Sequence, residues 1–307
     1  MEDRIRCLCS SIPRFDIFIN YMHPRVILNN KLIDVRRARL SAVTSSSLYG
    51  RGVFTTIAIY NGQPFLWPQH FARLTLHAAT LGIDQKTPDE ASVKAQLDRL
   101  IKANEVREGR ARITFFAREG GKLWRTEDAT SENTTDVLVM TGERRARREE
   151  DGMALTVSPF RLNTLSPLTG LKTVNYLEHL LAWEEARARQ FDEAVMMNER
   201  GEIVSATMAN IFWTTGGALH TPALSTGAIA GTTRVRVIEL AHAAAVPFVE
   251  GVYEMSDLAG ANEIFLTSSG LGVELVTTFD FRNYTLPVGS PALRLREAFR
   301  QLTLSAS

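Results

Sequence analysis

The stretch Ser166-Pro-Leu-Thr-Gly-Leu-Lys172-Thr-Val-Asn-Tyr-Leu177 decides how this chain is read, because a lysine stands where a Gly/Pro-rich segment gives way to a helical pattern. Tyr176, Leu177, Leu180, Leu181, Ala182 and Ala186 carry that pattern, which puts Lys172 at an element boundary rather than on a solvated helix face. Such a position holds an amine rigidly. A lysine that is desolvated or flanked by positive charge loses its proton more readily and becomes a nucleophile toward aldehydes, so Lys172 reads as a Schiff-base lysine. One lysine among many carries little weight alone, and the reading rests on the segments around it.

Composition bounds the possibilities. The chain has 307 residues, 45% hydrophobic and 22% charged, which is ordinary for a globular protein and long enough for two domains. Its 35 basic residues balance 34 acidic ones, and the aromatics do not interleave with basic runs, so neither nucleic acid nor a membrane is expected as a partner. Cys7 and Cys9 lie too close for an ordinary bridge and are too few for a metal site, which fits a reducing, cytoplasmic setting. No apolar run approaches the roughly 20 residues of a membrane span. Arg14 and Asp16 stand where a signal peptide needs its apolar stretch.

Along the chain, residues 1–24 lack periodicity and read as an N-terminal extension, or as a start assigned too early, since Met22 precedes the first domain-like segment. Asn29-Asn30 between two apolar runs predicts a hairpin. A strand over Val53 to Tyr60, a turn at Asn61-Gly62 and a returning strand over Pro64 to Trp67 follow. Helices are predicted over 70–81 and 88–103, then strands over 111–118 and 136–141, giving a small α+β domain at 25–145. The charged run from Gly142 to Gly152 contains the predicted interdomain linker, 146–152. Beyond it, strands at 154–159, 193–197, 210–215, 248–253 and 263–267 alternate with helices at 175–189 and 231–245, with a turn at Gly201-Glu202. They form a large α/β domain at 153–307. The lack of G-x-G-x-x-G after a first strand argues against a dinucleotide-binding domain.

Two polar clusters bear on chemistry. Gly231-Thr-Thr-Arg234 opens a helix, so amides and hydroxyls collect at its positive dipole end as in a phosphate cradle, although a threonine pair there is more often a plain cap. Thr267-Ser-Ser-Gly-Leu-Gly272 follows a predicted strand and offers further hydroxyls and free amides. Arg73, taken alone, is an exposed helical arginine.

With those segments in order, the chain resembles the class IV aminotransferases, the fold-type IV pyridoxal phosphate enzymes, over roughly residues 25 to 290. The resemblance is carried by Tyr49-Gly-Arg-Gly-Val-Phe-Thr-Thr-Ile57, His70-Phe-Ala-Arg-Leu74, Leu171-Lys-Thr-Val-Asn-Tyr-Leu177, Asp192-Glu-Ala194, Gly201 to Val204 leading to Ala209-Asn-Ile-Phe212, Thr221-Pro222, Gly231-Thr-Thr-Arg234 and Phe265-Leu-Thr-Ser-Ser269. It implies a two-domain α+β fold like that of D-amino acid aminotransferase, with pyridoxal 5'-phosphate at the domain interface. It implies that Lys172 carries the cofactor, that Arg73, Thr232, Thr233 and Ser269 hold its phosphate, and that Tyr176, Ser205 and Asn210 border it. A small-molecule substrate and a homodimer are implied as well.

Within the family the chain is most similar to the lyases that split 4-amino-4-deoxychorismate into pyruvate and 4-aminobenzoate for folate synthesis. Thr55-Thr56 carries this, since branched-chain aminotransferases usually have Glu-Gly after that phenylalanine. A hydroxyl at Thr56 can relay a proton to the departing enolpyruvyl group. Lys172 and Asn175 share a Lys-x-x-Asn spacing with lyases and D-amino acid aminotransferases, and Arg112 matches a basic position that in relatives meets substrate carboxylate, a task that suits a guanidinium. Gly201-Glu-Ile-Val-Ser205 departs from the family pattern, because a serine stands where a glutamate faces the pyridine nitrogen. A serine hydroxyl offers only a neutral hydrogen bond, so the ring becomes a weaker electron sink, which penalises transamination more than an elimination driven by aromatisation. Glu202 or another acid filling that role is one alternative. The other readings are an aminotransferase for branched-chain or D-amino acids and a weakly catalytic cofactor-binding homologue.

Overall fold

Asn29 and Asn30 both adopt positive φ, 47° and 64°, the backbone of a tight primed turn that asparagine tolerates better than most residues. They close β1 (Met22–Leu28) onto β2 (Lys31–Asp34), with Leu28 paired to Lys31. The computed structural model describes residues 22–83, 89–118, 135–144, 152–285 and 287–305. The predicted extension at 1–24 and linker at 146–152 therefore lie almost wholly outside the described residues, although Met22 already opens β1.

The described residues fall into two compact units, one of 22–144, 171–176 and 303–305, the other of 152–170 and 177–302. In the first, α1 (Ser45–Tyr49) leads into β3 (Gly52–Tyr60), and β4 (Gln63–Pro64), α2 (Trp67–Thr80), α3 (Glu90–Ala103), β5 (Gly109–Ala117) and β6 (Thr135–Gly142) follow. The strands build an antiparallel sheet in the order β2-β1-β6-β5-β3-β4. One face, with Ile27, Val53, Ile57, Ile113, Phe115 and Val139, packs with Leu74, Leu97 and Leu100 into a single core.

One correction to the sequence reading concerns this unit. The predicted returning strand at Pro64 to Trp67 is only the two residues of β4, because Leu66 turns at φ 56° and Trp67 already opens α2 with Pro68 in its first turn. Residues 171–176 group with this unit. They run along the part of β3 that β4 leaves uncovered: Val53 bridges Thr173, Phe54 N donates to Lys172 O at 3.0 Å and Val174 N donates to Gly52 O at 2.9 Å.

The second unit begins with β7 (Met153–Leu162) and α4 (Leu177–Ala188), followed by β8 (Glu193–Asn198), β9 (Ile203–Ala206), β10 (Asn210–Thr215) and β11 (Ala218–Pro222). It continues through α5 (Thr232–Ala243), β12 (Phe248–Gly251), α6 (Met255–Ala259), β13 (Glu263–Ser268), β14 (Gly272–Phe279), β15 (Arg282–Asn283) and α7 (Pro291–Ser305). Its mixed sheet runs β12-β11-β10-β13-β14-β7-β8-β9, and β9 curls back toward β10 and β11. Leu155, Val195, Ile211, Trp213, Ile264 and Leu266 fill its core. The strand expected at 248–253 stops at Gly251, and the helix expected from 175 begins at Leu177. Among the described residues no helix is long and apolar enough to cross a membrane.

Candidate active site

The first unit gathers its polar groups on both sides of β3, because successive side chains of a strand point to opposite faces. Gly52 allows the Lys172 segment to approach, since a Cβ there would lie 2.9 Å from Phe115 O and 3.2 Å from Val174. The Lys172 amine then rests 4.5 Å from the centroid of the Phe54 ring and 4.7 Å from that of Tyr176, and the two rings meet edge to face at 5.5 Å. Arg112, reaching across from β5, places its guanidinium carbon 3.6 Å from the same Phe54 centroid. Thr56 is paired with Arg112 in the strand register and lies two residues beyond Phe54, so it shares their face.

Thr55 points the other way and is buried. Its hydroxyl shares a 2.8 Å hydrogen bond with His70 Nδ1 and accepts one at 3.1 Å from Arg73 Nη2. His70, Arg73 and His77 stand at i, i+3 and i+7 on α2 and therefore line one stripe of the helix. His77 Nδ1 accepts the backbone N–H of Lys172 at 3.0 Å. A backbone amide only donates, so this nitrogen carries the lone pair and His77 is the neutral Nε2–H tautomer.

Charge in this cluster is one-sided. Burial, then Arg73 and Arg112, bring the Lys172 pKa down to about 7, which leaves much of the amine unprotonated at neutral pH. Burial brings both Arg73 and Arg112 down to about 10. His77 falls to about 4 and His70 well below its ordinary value, in each case through burial first and then Arg73 and Lys172. Such a cluster suits a ligand that brings an aldehyde and negative charge.

The second unit carries the other predicted residues. Gly231 caps α5 without a side-chain hydrogen bond, and Thr232, Thr233 and Arg234 are buried in its first turn. Only glycine fits at that cap, because a Cβ would lie 2.1 Å from Asn210 Oδ1. Asn210 is held by donating from Nδ2 to Ile229 O at 2.9 Å. Thr232 Oγ1 and Ser269 Oγ lie 3.4 Å apart, so two hydroxyls converge at the positive end of the helix as an anion requires. Ser205 is buried on β9 opposite Met196. Glu202 does not reach toward it: its carboxylate accepts from Arg200 at 2.6 Å and from Asn198 at 2.7 Å, in an ion pair beside the turn.

A model of the amino-transferase class IV family matches residues 52–278. The chain belongs to this family. Its members are pyridoxal phosphate-dependent enzymes, and each unit by itself carries groups of the kind that cofactor uses: in the first, a flanked amine of lowered pKa beside aromatic rings; in the second, a glycine-capped helix start with paired hydroxyls. Over 283 residues the chain is 28% identical to the aminodeoxychorismate lyase of Bacillus subtilis (strain 168), covering 90% of this chain and 94% of that one. The solved branched-chain aminotransferase of Thermoproteus uzoniensis with norvaline is 26% identical and superposes with a TM-score of 0.82, covering 92% and 95% of the two chains. The 4-amino-4-deoxychorismate lyase of Pseudomonas aeruginosa is 27% identical with a TM-score of 0.77, covering 90% and 98%. The chain is thus similar to members with both activities.

His70, His77 and Phe54 were not singled out from the sequence. The spacing of His70, Arg73 and His77 was the available signal for the histidines, and the aromatic residue before Thr55-Thr56 was the signal for the ring on which both cations rest.

Proposed function

We propose that this enzyme is a lyase that releases pyruvate and 4-aminobenzoate from 4-amino-4-deoxychorismate. The observation that carries the reading is the face shared by Thr56, Arg112 and Phe54, on which the Lys172 amine rests. When bound, pyridoxal phosphate supplies an aldehyde for an amine and a ring that takes up the electron pair released at the substrate carbon.

Lys172, partly unprotonated at neutral pH, acts first as the nucleophile that holds the cofactor and then, once displaced by the substrate amine, as the base at the adjacent carbon. Arg112 pairs with a substrate carboxylate, and its contact with Phe54 fixes the plane of the guanidinium. Thr56 relays to the departing enolpyruvyl group the proton that Lys172 has taken from the substrate carbon, giving up its own hydroxyl proton as it receives that one. Arg73, Thr232, Thr233 and Ser269 hold the phosphate, while Tyr176 and Asn210 border the cofactor. Ser205 gives the pyridine nitrogen a neutral partner, which elimination tolerates because aromatisation of the product supplies driving force. The reading carries with it a homodimer working in cytoplasmic folate synthesis, as the resemblance implies.

The second reading, an aminotransferase for branched-chain or D-amino acids, is favoured by the likeness to the Thermoproteus enzyme. Against the third reading, a weakly catalytic cofactor-binding homologue, stands the presence of Lys172 itself. The test is product analysis of the cofactor-loaded protein with 4-amino-4-deoxychorismate, following 4-aminobenzoate against a Lys172→Ala control. Release that depends on Lys172 supports the lyase. No release, together with nitrogen transfer from an amino acid to a 2-oxo acid, rejects it in favour of the aminotransferase.

A further inference from the structure

Lys172 sits in a segment with no regular secondary structure of its own, yet its backbone is tied on both sides. Its carbonyl accepts from Phe54 N at 3.0 Å, and its N–H donates to His77 Nδ1 at 3.0 Å. The first bond extends β3 and is available to any sequence. The second depends on one side chain.

We propose that His77 is a positioning residue that sets the reach of the Lys172 amine by accepting the backbone N–H at its root. A second bond at the same residue removes freedom about the Lys172 backbone, so the side chain starts from a fixed point above Phe54 and Tyr176. His77 suits this because it is buried on α2, whose neighbouring stripe of Trp67, Leu74 and Ala78 is locked in the core. The same helix face carries Arg73 to Thr55 one turn earlier, so α2 fixes both the amine's root and one of the cations beside it. Burial and the positive charges of Arg73 and Lys172 keep the imidazole neutral, which preserves the lone pair the N–H needs. The proposal rests on Lys172 being the reactive amine and is indifferent to whether elimination or transamination follows.

The test compares His77→Asn, whose carbonyl can accept the same N–H, with His77→Leu, which cannot. Two readouts are taken on the cofactor-loaded, full-length protein: hydrogen exchange at the Lys172 amide, and the pH midpoint of the bound cofactor's absorbance. The expected result is exchange about tenfold faster and a midpoint moved by about half a unit in His77→Leu, with both restored in His77→Asn. Native values in His77→Leu would overturn the proposal. So would equal changes in the two variants, since packing alone would then account for them. Native protein that protects the amide and shows these midpoints but makes no 4-aminobenzoate would count against the lyase reading and leave the positioning role standing.

Discussion

The sharpest consequence of the cluster is that Arg112 helps to keep Lys172 unprotonated before any substrate arrives. The Arg112 guanidinium carbon and the Lys172 amine lie 3.6 and 4.5 Å from one ring centroid, so they are no more than about 8 Å apart. Two unit charges at roughly 8 Å in a medium of effective dielectric about 20 repel by about 2 kcal/mol, which corresponds to about 1.5 pKa units. Arg112→Met, which keeps an unbranched chain over Phe54 and removes the charge, should therefore raise the Lys172 pKa from about 7 to roughly 8.5. At pH 7 the unprotonated fraction then falls from about a half to about 3%, some fifteenfold. The assay is the pH dependence of labelling of Lys172 by a small acylating reagent, read by mass spectrometry. The reagent carries no carboxylate, so loss of substrate binding at Arg112 plays no part. Labelling at pH 7 should drop by about that factor while labelling at pH 10 stays unchanged. A midpoint that remains at the native value would refute the part assigned to Arg112 and leave burial and Arg73 as the causes of the lowered pKa.

Four further outcomes are expected. Lys172→Met should stabilise the cofactor-free protein toward urea at pH 7 by about 2 kcal/mol, after discounting for the partial exposure of the residue, because the unfolded chain holds this proton far more tightly than the folded one, which has given up about half of it. For His77 the folded pKa of about 4 lies below the ordinary 6.5, so its neutral form supports the fold above pH 6.5 and that support drains away as pH falls toward 4. His77→Asn should accordingly lose about 2 kcal/mol less stability than the native protein between pH 8 and 5, measured by urea unfolding at the two pH values. Gly231→Ala should weaken pyridoxal phosphate binding at least about tenfold in a fluorescence titration, because the added methyl displaces Asn210 and the start of α5. Ser205→Glu should raise transamination relative to pyruvate release, and an unchanged ratio would show that the missing carboxylate does not set the balance between them.

Much of this was legible because local physics wrote it into short segments. Asn29-Asn30 and Asn61-Gly62 specify tight turns wherever they occur, and the turn residues adopt the positive φ expected of them. Gly231-Thr-Thr marked the start of α5 because glycine, hydroxyls and a following apolar pattern coincide there. The packing of the Lys172 segment against β3 had no local signal. A partition read along the chain cannot register that six residues near position 172 complete the edge of a strand at position 53. The two-residue β4 was missed because Pro64 to Trp67 is apolar without being extended, and the left-handed Leu66 that ends it has no sequence signature. The i, i+7 spacing places His77 on the stripe of His70 and Arg73, but only the fold reveals whose amide it accepts.

These observations join into one electrostatic argument. Arg73 and Arg112 both act on Lys172 in a desolvated site, an arrangement that costs stability in the free protein and that anions relieve. The proposed carboxylate partner of Arg112 would screen the charge that holds the Lys172 pKa down, so the amine's affinity for a proton would rise when substrate is in place. A lysine that must first attack as a free amine and later accept a proton gains from that order of events. A permanent carboxylate beside Lys172 would make it a stronger base at the outset and leave it protonated, unable to take up the cofactor at neutral pH. In the proposed lyase, arginine on one side and a neutral imidazole beneath would keep the amine nucleophilic until the substrate itself supplies its carboxylate.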